Sequence, residues 1–139
     1  MKKGFTLVEL LVVIAIIAIL STLSVVALNS ARAKSRDARR QSDIKQIRTA
    51  LDMYYDSNNQ QYPTGTNAQL GKTDYACLTS AGWATSGCTS NVLMQKVPTD
   101  PLTGRNYTYS VGTNNSDYTI QYNLESTTTT STATSNTNG

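Results

Sequence analysis

The residues of this chain that could do chemistry are one isolated carboxylate, one pair of cysteines and a few scattered aspartates. Glu9 stands directly before an uncharged run over residues 10–31 that consists mostly of Leu, Ile, Val and Ala. A carboxylate at the edge of such a run is costly in lipid unless a partner neutralises it, so Glu9 predicts an ion pair. The chain contains no His, which excludes Ser-His-Asp and Cys-His arrangements, and it has no glycine-rich phosphate loop. We therefore predict that the protein is not an enzyme.

The two cysteines, Cys77 and Cys88, enclose a short segment that contains the single tryptophan, Trp83. Outside the cytoplasm such a pair most simply forms a disulfide, which contributes about 2–4 kcal/mol to a small domain. Unpaired thiols are the alternative, whereas two thiolates without His do not make a closed zinc site. Trp83 is predicted to pack over the disulfide rather than to bind a ligand.

The element that positions Glu9 is a long helix. Residues 10–31 would rise about 33 Å as a helix, enough to cross a hydrocarbon core of about 30 Å. Neither Gly nor Pro occurs between Phe5 and Tyr62, so nothing forces the helix to stop at the membrane. We predict one helix from about Phe5 to Asp56, about 78 Å long, with a transmembrane part over 5–31 and an amphipathic continuation over 32–57.

The continuation has an apolar stripe with helical spacing, and a small sheet is predicted to cover it. The stripe consists of Ile44, Ile47, Leu51 and Tyr54. Arg40, Asp43, Lys45, Arg48 and Asp52 are predicted to lie largely off this stripe.

Two segments alternate apolar and polar residues with the period of a strand, at Tyr107–Val111 and Tyr118–Leu124. Residues 112–116 would join them as a hairpin. The predicted fold class is α+β, a long N-terminal helix packed on a small antiparallel sheet in a head over residues 58–125.

The order of residues at the N-terminus carries a family resemblance. Gly4-Phe5-Thr6-Leu7-Val8-Glu9-Leu10 resembles the processing site of type IV prepilins and of the pseudopilins of type II secretion. The resemblance implies a leader over residues 1–4, cleavage between Gly4 and Phe5, and N-methylation of Phe5. An ordinary signal peptide or single-span anchor is the alternative, but secretory signals are cleaved after the apolar region and have no acid at its start.

Two further segments resemble the same group, and together the resemblance covers most of residues 1–125. Pro98-Thr99-Asp100-Pro101 resembles the entry to the sheet of the major pseudopilin, and Tyr54-Tyr55 followed by Tyr62-Pro63 resembles its helix exit. Major pseudopilins hold calcium in the loop between their last strands. Here Asp117 is the only carboxylate of that loop, whereas calcium takes about six or more oxygens, so Asp117 is a weak calcium candidate beside an ordinary turn aspartate. No other cofactor is expected.

The resemblance implies a structural subunit of a type IV pilus-like filament, in which Glu9 takes the methylated amino group of Phe5 on the adjacent subunit. The implied partners are other copies of the chain, the prepilin peptidase and methylase, a membrane assembly platform with its ATPase, and inner-membrane lipid before assembly. The alternatives are a pseudopilin of type II secretion and a minor DNA-uptake pilin. Nucleic acid is not expected as the primary partner, because the head carries only Lys72, Lys96 and Arg105 as cations.

The expected location is the inner membrane as a single-pass precursor with a cytoplasmic N-terminus, and then a filament on the cell surface. The charges flanking the helix disagree, since Lys2 and Lys3 face five basic residues between positions 32 and 40, and positive charge usually marks the cytoplasmic side. Residues 126–139 are nearly all Ser, Thr and Asn, so a disordered tail is predicted there, either O-glycosylated or unmodified.

Overall fold

A computed structural model describes residues 4–127 and 129–135, and it confirms the predicted α+β architecture. The one α-helix of the described residues, α1, spans Leu7–Ser57, close to the predicted limits. It ends where Asn59 and Gln60 adopt left-handed backbone conformations, with φ of 54° and 57°, which cannot continue an α-helix. The chain divides into two compact units at Ser35. The unit that begins at Arg36 contains the second part of α1 in addition to the predicted head over residues 58–125, and this whole unit is called the head from here on.

The main sheet of the head has four antiparallel strands, which span Ala68–Gln69 (β1), Thr108–Val111 (β5), Tyr118–Asn123 (β6) and Thr130–Thr134 (β7). Their order in the sheet is β1-β5-β6-β7. Strands β5 and β6 are the predicted hairpin, in which Tyr109 pairs with Ile120 and Val111 with Tyr118.

A second, three-stranded sheet occupies a region in which the sequence shows no periodicity. Its order is β3-β2-β4, and the strands span Cys77–Thr79 (β2), Gly82–Ala84 (β3) and Val92–Met94 (β4). Strands of three residues are too short to display a period of two, which explains why the sequence did not reveal them. The predicted disulfide joins Cys77, in β2, to Cys88 in the loop between β3 and β4.

The predicted apolar stripe of α1 forms the centre of the core. Ile47 and Leu51 are fully buried, Ile44 is nearly so, and they belong to one cluster with residues of the main sheet. Tyr54 is only half-buried at the edge of this cluster. The fully buried Tyr109 has a paired hydroxyl, which donates to the carbonyl of Pro63 at 2.7 Å. Helix and sheet therefore form two layers, as expected.

Two of the charged residues that were predicted to lie off the stripe, Arg40 and Asp43, are buried nonetheless. Asp43 accepts a hydrogen bond of 2.9 Å from the hydroxyl of Tyr107, and Arg40 is completely buried. The Arg40 guanidinium donates twice to Asp100, at 2.7 and 2.9 Å, and also to Asp37 and Glu125, at 2.7 and 2.8 Å. A helix face that appears polar in the sequence therefore contains a buried ion network. Two partners of Arg40, Asp100 and Glu125, come from distant parts of the chain.

The same network holds the segment that follows β6. Arg36 donates two hydrogen bonds to Glu125, at 2.7 and 2.6 Å. The two carboxylate oxygens of Asp37 accept the main-chain N–H groups of Glu125 and Ser126, each at 2.9 Å. The chain is therefore fixed to α1 immediately before the region that was expected to be disordered.

The expectation of a disordered tail is wrong for residues 130–134. They form β7, which pairs with β6 over five residues, from Thr119 opposite Thr134 to Asn123 opposite Thr130. The sequence argument considered only apolar burial, whereas β-branched Thr suits a strand and the free edge of β6 supplies main-chain partners. Residues 128 and 136–139 lie outside the described residues.

The network predicts a large stability loss when Arg40 is removed. Arg40→Met should lower the free energy of unfolding by about 3–5 kcal/mol, because it leaves the facing carboxylates without their buried counter-ion. Thermal unfolding of the detergent-solubilised full chain, followed by Trp83 fluorescence, measures this loss. Arg39→Met, at an exposed position of the same helix, is the matched control and should change stability by no more than about 0.5 kcal/mol. Equal losses in the two variants would contradict a special role for Arg40.

The network also predicts acid sensitivity. Burial raises the pKa of Asp37, but the N–H groups of Glu125 and Ser126 and the Arg40 guanidinium outweigh it and lower the pKa to about 2. Hydrogen bonds from Arg36 and Arg40 lower the pKa of Glu125 to about 2. Because both pKa values lie below those of the unfolded chain, the stabilisation is present above about pH 5 and is lost as the pH falls toward 2. The melting temperature should fall as the pH is lowered from about 5 toward 2, and this fall should be smaller in Glu125→Gln. An equal fall in that variant would exclude Glu125 as a source of the acid sensitivity.

Candidate assembly site at the N-terminus

The first turn of α1 is closed by Thr6 and Glu9. Thr6 directly precedes the first helical residue, and its main-chain N–H and its hydroxyl donate to Glu9 Oε2 at 2.8 and 2.7 Å. The N–H of Glu9 donates in return to Thr6 Oγ1 at 3.3 Å. This reciprocal arrangement is a capping box, which satisfies main-chain donors that a helix start otherwise leaves unpaired.

The capping box gives Glu9 a partner within its own chain, which the sequence analysis missed. The signal was present as Thr-x-x-Glu at positions 6–9, directly before the apolar run. Both hydrogen bonds from Thr6 end on Oε2, and within residues 4–127 and 129–135 no group donates to Oε1. The carboxylate is therefore held in a fixed place with one oxygen left for a further donor.

The predicted cleavage site lies in irregular chain before the helix. Gly4 and Phe5 are exposed and lie outside any helix or strand, and Phe5 retains 86% of its accessible surface. A Cβ added at Gly4 would meet no atom of the described chain within 4 Å, so the chain itself does not require glycine here. Any such requirement must come from a protein that binds this segment. Residues 1–3 of the predicted leader lie outside the described residues.

The helix behind this site presents apolar side chains on all sides. Large apolar residues from Leu7 to Leu28 are exposed, from 47% at Val13 to 78% at Leu7. Among the described residues, α1 is the one helix whose length and composition would allow it to cross a membrane. An apolar surface of this size needs lipid or other protein chains to cover it.

The other candidate residues lie in the head. Asp117 lies two residues after the 3-10 turn Thr113–Asn115, and its side chain folds over Gly112, where a Cβ would collide with the carboxylate. Within the described residues, no group of three or more His, Cys, Asp or Glu side chains could hold a metal ion. Calcium at Asp117 stays a prediction.

Trp83 does not simply cover the disulfide. Its ring packs edge-on against Tyr109 and Tyr75, with centroid distances of 5.3 and 6.0 Å, so it joins the second sheet to the aromatic core.

Comparison with known proteins agrees with these observations. Residues 1–25 match the family model described as the prokaryotic N-terminal methylation motif. Residues 26–133 match the model described as type II secretion system (T2SS), protein G. A search of the curated proteins found no match, and a search of the solved structures found none either.

The second match extends from the apolar part of α1 to β7 and covers well over half of the chain. The family is a structural one, its members are generally not enzymes, and membership implies processing by prepilin peptidase and polymerisation into a filament. A capped, exposed apolar helix that leads into an α+β head is the architecture that this function requires. With its methylation motif and its matching head, the chain belongs to the type II secretion system protein G family, within the wider group of type IV pilins and pseudopilins.

Proposed function

We propose that this chain is the structural subunit of a type IV pilus-like filament that stands on the cell surface. The observation that carries the proposal is the start of α1. There Thr6 fixes Glu9 at the N-terminal end of an apolar surface that extends to Leu28. Before assembly, membrane lipid covers this surface. In the filament, the helices of neighbouring copies replace the lipid.

This exchange changes apolar burial little, because lipid tails are as apolar as Leu and Ile side chains. The register between neighbouring helices must therefore come from a specific polar contact. Oε1 of Glu9 receives no hydrogen bond from the described chain. It can therefore accept a hydrogen bond from the methylated amino group of Phe5 of an adjacent copy while the capping box stays closed. A charge pair in this water-free environment is costly to break, so it selects one register.

The proposal includes the processing steps that expose this amino group. Prepilin peptidase cuts between Gly4 and Phe5 and methylates Phe5, acting on the cytoplasmic side of the inner membrane. A membrane platform and an ATPase then supply the energy for polymerisation, since the chain has no nucleotide-binding motif of its own.

A pseudopilus of a type II secretion system is the second candidate function, and the family match over residues 26–133 favours it. The disulfide between Cys77 and Cys88 favours the surface pilus, because a covalently closed loop suits a head that is exposed outside the cell. The two functions differ in where the filament ends, since a pseudopilus stays within the cell envelope and is absent from material sheared off the surface.

Changes at Glu9 should block assembly without blocking insertion. Glu9→Val makes the membrane segment more apolar, so the membrane pool should remain full, whereas the amino group of Phe5 loses its counter-ion at every subunit contact and filaments should be few or absent. Immunoblots of membrane and sheared surface fractions, from cells that lack the native chain, measure both quantities. Glu9→Val filaments at normal yield would contradict the pairing role.

Two further variants separate the charge of Glu9 from its capping role. Glu9→Gln keeps an acceptor for Thr6 but has no charge, and Thr6→Ala keeps the charge but removes the hydroxyl of the cap. We expect Glu9→Gln to be nearly as defective as Glu9→Val. Thr6→Ala should cost only about 1 kcal/mol at the helix start and retain filaments. The reverse order would show that capping, and not the ion pair, is what assembly needs.

A further inference from the structure

The head contains an open cleft of about 550 Å³ to which nothing above assigns a role. It lies between the end of α1, the segment before β2 and the β2–β3 turn. Three half-buried aromatic side chains line it, Tyr54 from the helix, Tyr75 from the segment before β2, and Trp83 from β3. Their rings offer apolar surface inside a cleft whose remaining lining is polar.

Two of the polar side chains that line the cleft are free to bind a ligand, whereas two others are already hydrogen-bonded. Of the side chains at the helix end, Ser57 and Asn58 spend their hydrogen bonds on the main-chain carbonyls of Met53 and Tyr54. Gln61 and Asn115 also line the cleft, and in the described part of the chain their side-chain amides form no hydrogen bond with protein. Side-chain amides both donate and accept, so they can pair with hydroxyl groups in either direction.

The rim that carries these amides is held in place by the main chain. The N–H of Tyr62 donates to the carbonyl of Asn115 at 2.8 Å, which joins the segment after α1 to the β5–β6 loop. Asn59 and Asn115 have φ of 54° and 56°, a left-handed conformation that Asn tolerates better than most residues. The cleft therefore exists before any ligand arrives, which lowers the entropic cost of binding.

The indole nitrogen of Trp83 is not one of the polar groups that the cleft offers. Nε1 is buried and is the one buried side-chain nitrogen or oxygen of the described residues that has no hydrogen-bond partner. Because a ligand in an open cleft does not reach a buried atom, Trp83 contributes its ring to the cleft and not its N–H.

The charge of the lining narrows the class of ligand. Asp74 is a carboxylate on the cleft, and no Lys or Arg is among the described residues that line it. Phosphates, sulfates and acidic sugars are therefore disfavoured. A ligand with hydroxyl groups around an apolar face, and without negative charge, matches both the rings and the amides.

We propose that this cleft binds a neutral saccharide of one or two residues, with a sugar face on the aromatic side chains and its hydroxyl groups on Gln61, Asn115 and Asp74. The inference does not depend on whether the filament is a pilus or a pseudopilus, because it concerns the head alone. It adds recognition of a carbohydrate to a chain whose family role is structural.

The single tryptophan makes the test direct, because Trp83 lines the cleft and reports its own surroundings. The full chain is solubilised in a detergent without a sugar headgroup and titrated with methyl glycosides of glucose, galactose, mannose, N-acetylglucosamine and N-acetylgalactosamine. Inorganic phosphate and choline are titrated in parallel. We expect a saturable change in Trp83 fluorescence with at least one glycoside and none with phosphate. No saturable response to any glycoside, or saturation by phosphate or choline alone, would overturn the proposal.

Variants locate the binding. Asn115→Gly removes the amide and suits the left-handed backbone, and Gln61→Ala removes the second amide; each should weaken glycoside binding about 5-fold, the effect of one neutral hydrogen bond. Asp74→Asn replaces a charge-assisted hydrogen bond to a sugar hydroxyl with a neutral one, so it should also weaken glycoside binding about 5-fold. Gln121→Ala, exposed on β6 and outside the cleft, is the matched control and should not change the affinity. Equal effects of Gln121→Ala and Asn115→Gly would place the binding elsewhere.

Discussion

The head depends on one buried guanidinium. Arg40 binds Asp100 through two hydrogen bonds and Glu125 and Asp37 through one each, so it joins α1 to the segment before β5 and to the segment after β6. A buried charge is tolerated only when its partners are all in place, and the network therefore forms completely or not at all. It also gives a physical reason for Pro98-Thr99-Asp100-Pro101, whose aspartate is the bidentate partner of Arg40 and accepts the N–H of Leu102 at 2.8 Å.

The two parts of α1 differ in what covers their apolar side chains. The part up to Ser35 exposes apolar side chains all round and needs lipid or neighbouring helices, while the part from Arg36 onward buries Ile47 and Leu51 in its own head. The second part therefore covers its own apolar face without using the first part. In the proposed function, the head is thus complete in the membrane-bound precursor, and assembly is left to the helix surface and to Glu9.

The sequence predicts those features that short-range patterns determine. The absence of Gly and Pro predicted the helix, and the spacing from Ile44 to Tyr54 predicted its buried face. The alternation of apolar and polar residues around Tyr109 and Ile120 predicted the hairpin. The burial of Arg40 escaped prediction because its partner Asp100 is 60 residues away and nothing local marks it. Strand β7 escaped because main-chain pairing with β6, and not apolar side chains, orders it. At the helix start, the cost of a carboxylate beside an apolar run predicted that Glu9 needs a partner, and the family resemblance supplied Phe5 of an adjacent copy. The contact of Glu9 with Thr6 was overlooked although the pattern was in the sequence.

The account rests on the claim that a processed N-terminus, beginning at Phe5, drives assembly of this chain into surface filaments. The most direct test is the intact mass of the main protein in filaments sheared from cells that express the native chain. We predict that this protein is the present chain without residues 1–4, carrying one methyl group on Phe5 and an oxidised pair of cysteines. Filaments built from a chain that retains Met1, or sheared material without this chain while the membrane pool is full, would contradict the account.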